Sequence, residues 1–290
     1  MSSLGRFGQR RLGVCVASPG SLLSRVQEAK SLVRDRLDFT LTRLGLGQPE
    51  SRLAQDSQSF WESSPLDDSW RNNSHWRDGS AFADDDAWLA VGQGHLTLYE
   101  RFARAVQYDR PLGRVVEWGS GGGANAVHFA PRSQEYVAVD VAADSLAECE
   151  RQVRAVCETP FTAVLADVAD PETAARRVPR PCDLFLCCYV LELVPTPEYG
   201  LRLLQIARSL LADDGLALVQ IKYRTSSWRT RPRRRRYRSS TAASMTTYWI
   251  DEFWTAAISC GLRPELVTLV PKNNLDERYA YFLLTKAGNA

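Results

Sequence analysis

The sequence predicts an α/β chain: a doubly wound, seven-stranded, mostly parallel sheet with a C-terminal antiparallel strand, preceded by an N-terminal helical and irregular extension. Three observations predict it. Residues 113–130 read as a short apolar strand, a turn carrying Gly119, Gly121, Gly122 and Gly123, and the first turns of a helix. From there to about residue 222, strand-like and helix-like stretches alternate, and the continuous apolar run over 182–194 suits a central parallel strand covered on both faces. Two further strand-like runs, 265–270 and 279–285, form the closing antiparallel pair.

Composition bounds the rest. With 290 residues, 44% hydrophobic and 24% charged, the chain holds one full α/β domain of about 200 residues plus an extension. A net charge of +2 gives no global attraction to nucleic acid or membrane. The seven cysteines are odd in number and lack C-x-x-C spacing, so they read as reduced core thiols of a cytoplasmic protein, with no disulfide framework and no metal site. No run approaches the roughly 18 apolar residues of a membrane span. The apolar run after Arg10 and Arg11 is shorter than the core of about 7 to 15 residues that a secretory signal needs.

Taken in order, residues 1–20 are rich in Gly, Ser and Arg and carry no periodic pattern. Over 21–45, Leu22, Val26, Ala29, Val33, Leu37, Leu41 and Leu44 recur at helical spacing; this helix covers the main domain or joins two copies of the chain. Residues 46–85 read as a linker or lid, and Trp61, Trp70, Trp76 and, just beyond it, Trp88 must bury against the domain or line a substrate mouth. The boundary is therefore set at 85/86, with an extension over 1–85 and a domain over 86–290. A helix over 86–106 carries His95, Tyr99 and Arg101. Val115 and Val116 then suit a strand, and the glycines permit close approach of a ligand to bare backbone, with a helix N-terminus behind them. The second strand ends in Asp140, about 20 residues past the first glycine, where a carboxylate can accept both hydroxyls of a ribose. A helix over 144–157, capped by Asp144 or Ser145, leads to a third strand over 161–167. Beyond the apolar run lie a helix over 197–211, a fifth strand, an arginine-rich insertion over 224–246 and a helix over 247–261 closed by Gly261.

The glycine turn alone satisfies the dinucleotide pattern G-x-G-x-x-G/A through Gly119, Gly121 and Ala124. Glu117, two positions before the first glycine, tips the choice. Glu117, Gly119, Gly121 and Gly123 resemble motif I (E/D-x-G-x-G-x-G) of class I S-adenosylmethionine-dependent methyltransferases. Residues 189–195, Tyr-Val-Leu-Glu-Leu-Val-Pro, resemble that family's V-L-E-H-V-P segment with Leu193 in place of the histidine, and the turn before the fifth strand resembles its L-x-P-G-G. The resemblance covers residues 86–288. It implies S-adenosyl-L-methionine as cofactor, with Glu117 at its methionine end, Gly119, Ser120, Gly121 and Gly123 in the turn that packs on it, Asp140 at the ribose, and Asp167 with Val168 at the adenine amino group. Tyr189 and Glu192 then fall near the point of methyl transfer. His95, on the helix that closes over the cofactor in relatives, is the candidate base, with Glu192 behind it.

The acceptor is expected to be a small molecule or glycan. Seven arginines within residues 229–238 make an anionic one attractive, and Trp228 and Tyr237 could stack on a base or sugar. RNA ranks behind, because one short basic run without an RNA module is a thin footprint. A nicotinamide-dependent oxidoreductase stays open on glycine spacing, though Glu117 fits it poorly and the Y-x-x-x-K pair is missing. A binding protein that keeps the fold without turnover also stays open.

Overall fold

The computed structural model describes residues 29–30, 33–34, 36–38, 40–42, 44, 46–62, 71, 74–79, 81–232, 237, 245–270 and 278–288. It divides into two units, Met1–Leu37 and Asp38–Ala290. In the first, the described residues are helical, and Val33 and Leu37 are exposed. Most of the helix expected over 21–45 lies outside the described residues. The boundary set at 85/86 falls inside the second unit.

Within that unit, α1 (Glu50–Trp61) and α2 (Asp85–Ala105) precede the alternating region. The alternating region follows: β1 (Leu112–Trp118), α3 (Ala126–Phe129), β2 (Ser133–Asp140), α4 (Ala143–Arg154), β3 (Phe161–Leu165), α5 (Pro171–Arg177), β4 (Cys182–Cys187), α6 (Pro197–Leu210) and β5 (Leu211–Lys222). The chain closes with α7 (Ile250–Ser259), β6 (Leu262–Leu269) and β7 (Tyr279–Lys286). The strands form one seven-stranded sheet in the order β3-β2-β1-β4-β5-β7-β6. β1 to β5 are parallel, and β7 enters antiparallel between β5 and β6. The predicted fold class is thus observed.

Strand alternation sorts the core into two layers. Val115, Tyr136, Ala138, Leu184, Leu186 and Leu218 face one side, against Leu96 and Phe102 of α2, Phe129 of α3 and Leu146 and Val153 of α4. Val116, Val137, Val139, Phe185, Ala217 and Phe282 face the other, against Ala174 of α5, Leu203 and Leu210 of α6 and Phe253 of α7. Each fully buried Leu or Phe contributes about 1.5–3 kcal/mol of transfer free energy. Strand order reverses between β1 and β4, so the carboxyl ends of these two strands leave a crevice.

Several boundaries differ from expectation for local reasons. The helix after the glycine turn lasts four residues and passes into a 3-10 turn at Ala130–Arg132, where Pro131 has no N–H to continue it. No long helix dipole therefore stands behind that turn. α4 starts at Ala143 rather than at Asp144 or Ser145, since the Ser145 hydroxyl accepts the indole N–H of Trp76 and the Ala142 N–H is held by Asp140. β3 stops at Leu165, two residues short of Asp167. α7 starts at Ile250 because Thr247 donates to the Thr230 carbonyl and Tyr248 bridges to Tyr223. No disulfide joins any two of the six cysteines among the described residues, and no His/Cys/Asp/Glu cluster among those residues could hold a metal. No helix among them is long and apolar enough to cross a membrane.

Candidate active site

The carboxyl ends of β1, β2 and β4 open into a cavity of about 850 Å³, counting its mouth. Its floor is the turn after β1. The N–H groups of Gly119 and Ser120 both donate to the Val139 carbonyl, at 2.7 and 3.1 Å, which pins the turn to β2. At the end of β2, one carboxylate oxygen of Asp140 accepts the Gly121 N–H (2.8 Å) and the other accepts the Ala142 N–H (3.0 Å). Each oxygen keeps a further lone pair for the cavity that Asp140 lines. Burial raises the Asp140 pKa, and the backbone N–H groups oppose the shift.

Glu117 is buried at the other end of the turn. It accepts the Asn125 amide (2.7 Å) and the Tyr136 hydroxyl (2.5 Å), and burial pushes its pKa up to about 7. From Glu117 the hydrogen bonds run on in one direction. Because Asn125 gives its N–H to Glu117, its oxygen faces Nδ1 of His95 at 2.7 Å, so Nδ1 carries the proton. Nε2 of His95 then accepts the Tyr281 hydroxyl at 2.7 Å, and the Tyr281 oxygen accepts the Gln220 amide at 2.9 Å. Gln220 in turn accepts the Tyr189 N–H at 2.5 Å. That last bond helps to hold Tyr189 at φ +58, a left-handed conformation rare for an aromatic residue. The ring of Tyr189 thereby lines the cavity just past β4.

The roof comes from outside the alternating region. Ser57 and Trp61 of α1, Ser74 and His75 of the segment before α2, and Tyr237 from the arginine-rich insertion all line the cavity. The indole of Trp61 donates to the Tyr237 hydroxyl at 3.0 Å, and Phe60 packs on Tyr237 at 5.4 Å. Tyr237 is therefore buried and not free to stack on a passing base, whereas Trp228 is exposed. The Ser74 carbonyl accepts the Gly122 N–H at 2.7 Å, which clasps the roof to the glycine turn. Of the Trp-rich stretch, Trp61 lines the cavity, Trp76 bonds to Ser145, and Trp88 is fully buried; Trp70 lies outside the described residues.

The structure brings together Glu117, Gly119, Ser120, Gly121, Asp140, Val168 and Tyr189 on one cavity wall. Four candidates lie elsewhere. Gly123 packs against α4, where a Cβ would come within 3.1 Å of Cys149 Cα. Asp167 is exposed and accepts the Ala169 N–H at 2.7 Å, while the Val168 N–H is taken by the Gln58 side chain of α1 at 2.9 Å. Glu192 is buried and accepts the Tyr279 hydroxyl at 3.0 Å. His95 stands behind the wall with both ring nitrogens engaged, and burial lowers its pKa to about 4. Sequence reasoning missed Asn125, Gln220, Tyr281 and His75. None carries a local signal, because each acquires its role from a partner on a distant element.

Two outcomes follow from the buried network. His95→Ala would strand the Asn125 oxygen and the Tyr281 hydroxyl, at about 1–3 kcal/mol for each orphaned group, so the thermal midpoint should fall by several degrees. Differential scanning calorimetry checks this; an unchanged midpoint would mean that the network adds no stability. Glu117 gives a pH signature. Its folded pKa of about 7 lies above the ordinary 4.5, so between these values the folded chain keeps a proton that the unfolded chain has released. Raising pH through that window costs stability, and the loss is complete above about 7. His75 and His95, both lowered to about 4, act in the opposite direction but are common to parent and variant. Glu117→Gln should therefore gain stability relative to the parent as pH rises through 4.5 to 7, read as the difference between two urea-unfolding series.

The sequence matches the family described as methyltransferase domain over residues 93–254, more than half of the chain. No curated protein sequence matches it. Magnesium protoporphyrin IX methyltransferase from Synechocystis PCC 6803, solved with bound SAH, aligns at a TM-score of 0.56 and 13% identity over 79% of this chain and 97% of that one. The same enzyme with bound SAM gives 0.56 and 14% over 81% and 97%. N-methyltransferase NodS from Bradyrhizobium japonicum WM9 gives 0.51 and 12% over 70% and 93%. The glycine turn between Glu117 and Asp140, the sheet order with its antiparallel β7, and the family match over β1 to β5 agree, and the chain belongs to the methyltransferase-domain family, within the class I S-adenosylmethionine-dependent methyltransferases.

Proposed function

We propose that the chain transfers the methyl group of S-adenosylmethionine to a small-molecule acceptor. The observation that carries this is one continuous cavity that joins the Gly119–Gly121 turn and two buried carboxylates to an aromatic wall of His75, Tyr189, Trp61 and Tyr237. The donor set fits the cofactor. Asp140 has acceptor capacity for ribose hydroxyls; Val141, Val168 and Leu203 offer apolar contacts to a purine; Glu117, Ser120 and Asn125 line the polar end. When bound, S-adenosylmethionine supplies a sulfonium methyl with a good leaving group already in place. The chain's own task is then to orient the acceptor, exclude water and take a proton where the acceptor must lose one.

A roofed site lined by aromatic side chains suits a small acceptor. Two features favour small molecules and, among them, anions. Two of the aligned enzymes are described with a small-molecule acceptor or an N-methyltransferase activity. In addition, four arginines at 233–236 immediately precede the cavity residue Tyr237 in sequence, although those four lie outside the described residues.

The test is titration calorimetry with S-adenosylmethionine and with NAD, followed by incubation of the methyl-labelled cofactor with fractionated small metabolites. Binding of S-adenosylmethionine alone and label in a low-mass product support the proposal. Binding of NAD in its place would overturn it.

A further inference from the structure

The three histidines of the chain have three different surroundings. His95 is buried with both ring nitrogens bonded. His128 is half-buried on α3 and does not line the cavity. His75 does line it, and neither of its ring nitrogens has a hydrogen-bond partner among the described residues.

The placement of His75 is built rather than incidental. Its backbone sits at φ +53, in the left-handed region that a non-glycine residue seldom occupies. Two bonds fix that backbone: the His75 carbonyl accepts the indole N–H of Trp88 at 2.7 Å, and the adjacent Ser74 carbonyl accepts the Gly122 N–H at 2.7 Å. The imidazole meets Tyr189 edge to face at 4.7 Å and Phe82 at 5.6 Å. Tyr189 follows the carboxyl end of β4, the edge at which open α/β sheets bind their ligands. A strained and doubly tethered residue thus presents free ring nitrogens where the roof meets the glycine turn.

We propose that His75 accepts the proton that the methyl acceptor gives up. The inference rests on the methyl-transfer reading above and names the catalytic residue of that same site. The acceptor heteroatom forms a bond to the methyl carbon as the carbon–sulfur bond breaks and its electron pair stays on sulfur. The acceptor proton passes to a ring nitrogen of His75, and the imidazolium later returns it to water. Burial, with His95 nearby, lowers the His75 pKa to about 4, so the ring is neutral at pH 7 but a weak base, and it takes the proton as the methyl transfers rather than before it. Tyr189 and Phe82 offer aromatic surface to the transient positive charge.

The experiment reads the position of the transferred methyl without needing the acceptor. Sinefungin carries a carbon in place of the sulfonium sulfur and an amine where the methyl stands, whereas S-adenosylhomocysteine has nothing at the methyl position. By calorimetry, His75→Ala should bind S-adenosylhomocysteine like the parent but sinefungin about tenfold or more weakly, and His75→Gln, which keeps an acceptor atom, should recover part of the loss. With methyl-labelled cofactor and a small-metabolite extract as acceptor pool, His75→Ala turnover should fall about 100-fold and added imidazole should restore part of it. An unchanged preference between the two ligands in both variants overturns the assignment of His75. Failure of the parent to bind either ligand overturns instead the methyl-transfer reading on which it rests. Thermal melts of both variants identify a folding defect, and His75→Gln carries the test if His75→Ala does not fold.

Discussion

Gly121→Val is expected to leave no measurable S-adenosylmethionine binding in titration calorimetry while the sheet stays folded by circular dichroism. Gly121 sits at φ +49, which a β-branched residue resists, and a Cβ there would come within 2.3 Å of the Ser74 carbonyl oxygen. Nothing flexible can yield, because that carbonyl is backbone and already accepts the Gly122 N–H. From sequence, the side chain would be expected to occupy the cofactor's place. The structure adds an earlier clash, with the roof: the variant must push residues 74–76 off the turn and so dismantle the wall that carries His75. Gly121→Ala, with one methyl group, meets the same atom and should fail in the same way. Parent-like affinity in either variant would show that the clasp between Ser74 and the turn is dispensable.

Asp140→Ala should weaken S-adenosylmethionine binding by about 1–3 kcal/mol, roughly 5- to 150-fold in Kd. The loss has two sources. A carboxylate that could accept ribose hydroxyls disappears from the cavity wall, and the N–H groups of Gly121 and Ala142 lose their acceptor. Asp140→Asn separates these. Its single side-chain oxygen can keep one of the two backbone bonds, so stability should recover more than affinity does. Calorimetry for binding and urea unfolding for stability read the two effects independently. Equal affinity of parent, Ala and Asn variants would remove Asp140 from the cofactor site.

The layered fold was legible in the chain, because the patterns that specify it are local. The short apolar runs at 115–116 and 136–139, the unbroken run over 182–194 and the helical spacing in α6 each state their own burial, and the right-handed crossovers between them suit a parallel, doubly wound sheet. The glycine turn and the two acids flanking it were legible for the same reason. Gly119, Gly121 and the two carboxylates answer to backbone conformation and strand ends, which a short window contains.

Tertiary structure alone decided which side chains face the cavity. His95 and His75 both look like single histidines in sequence, one on a helix and one in a polar stretch. His95 is committed by Asn125, 30 residues on, and by Tyr281, 186 residues on, so its lone pair is occupied before any ligand arrives. His75 gains its position from Trp88 and from Gly122, and Tyr237 changes from an exposed residue of a basic run into a buried roof residue because Trp61, 176 residues away, donates to its hydroxyl. A hydrogen bond across such distances leaves no period or spacing in the chain. It is set by how the sheet places its strand ends and by what the preceding segment can bury against them, so the fold could be read from the sequence while the wall facing the acceptor could not.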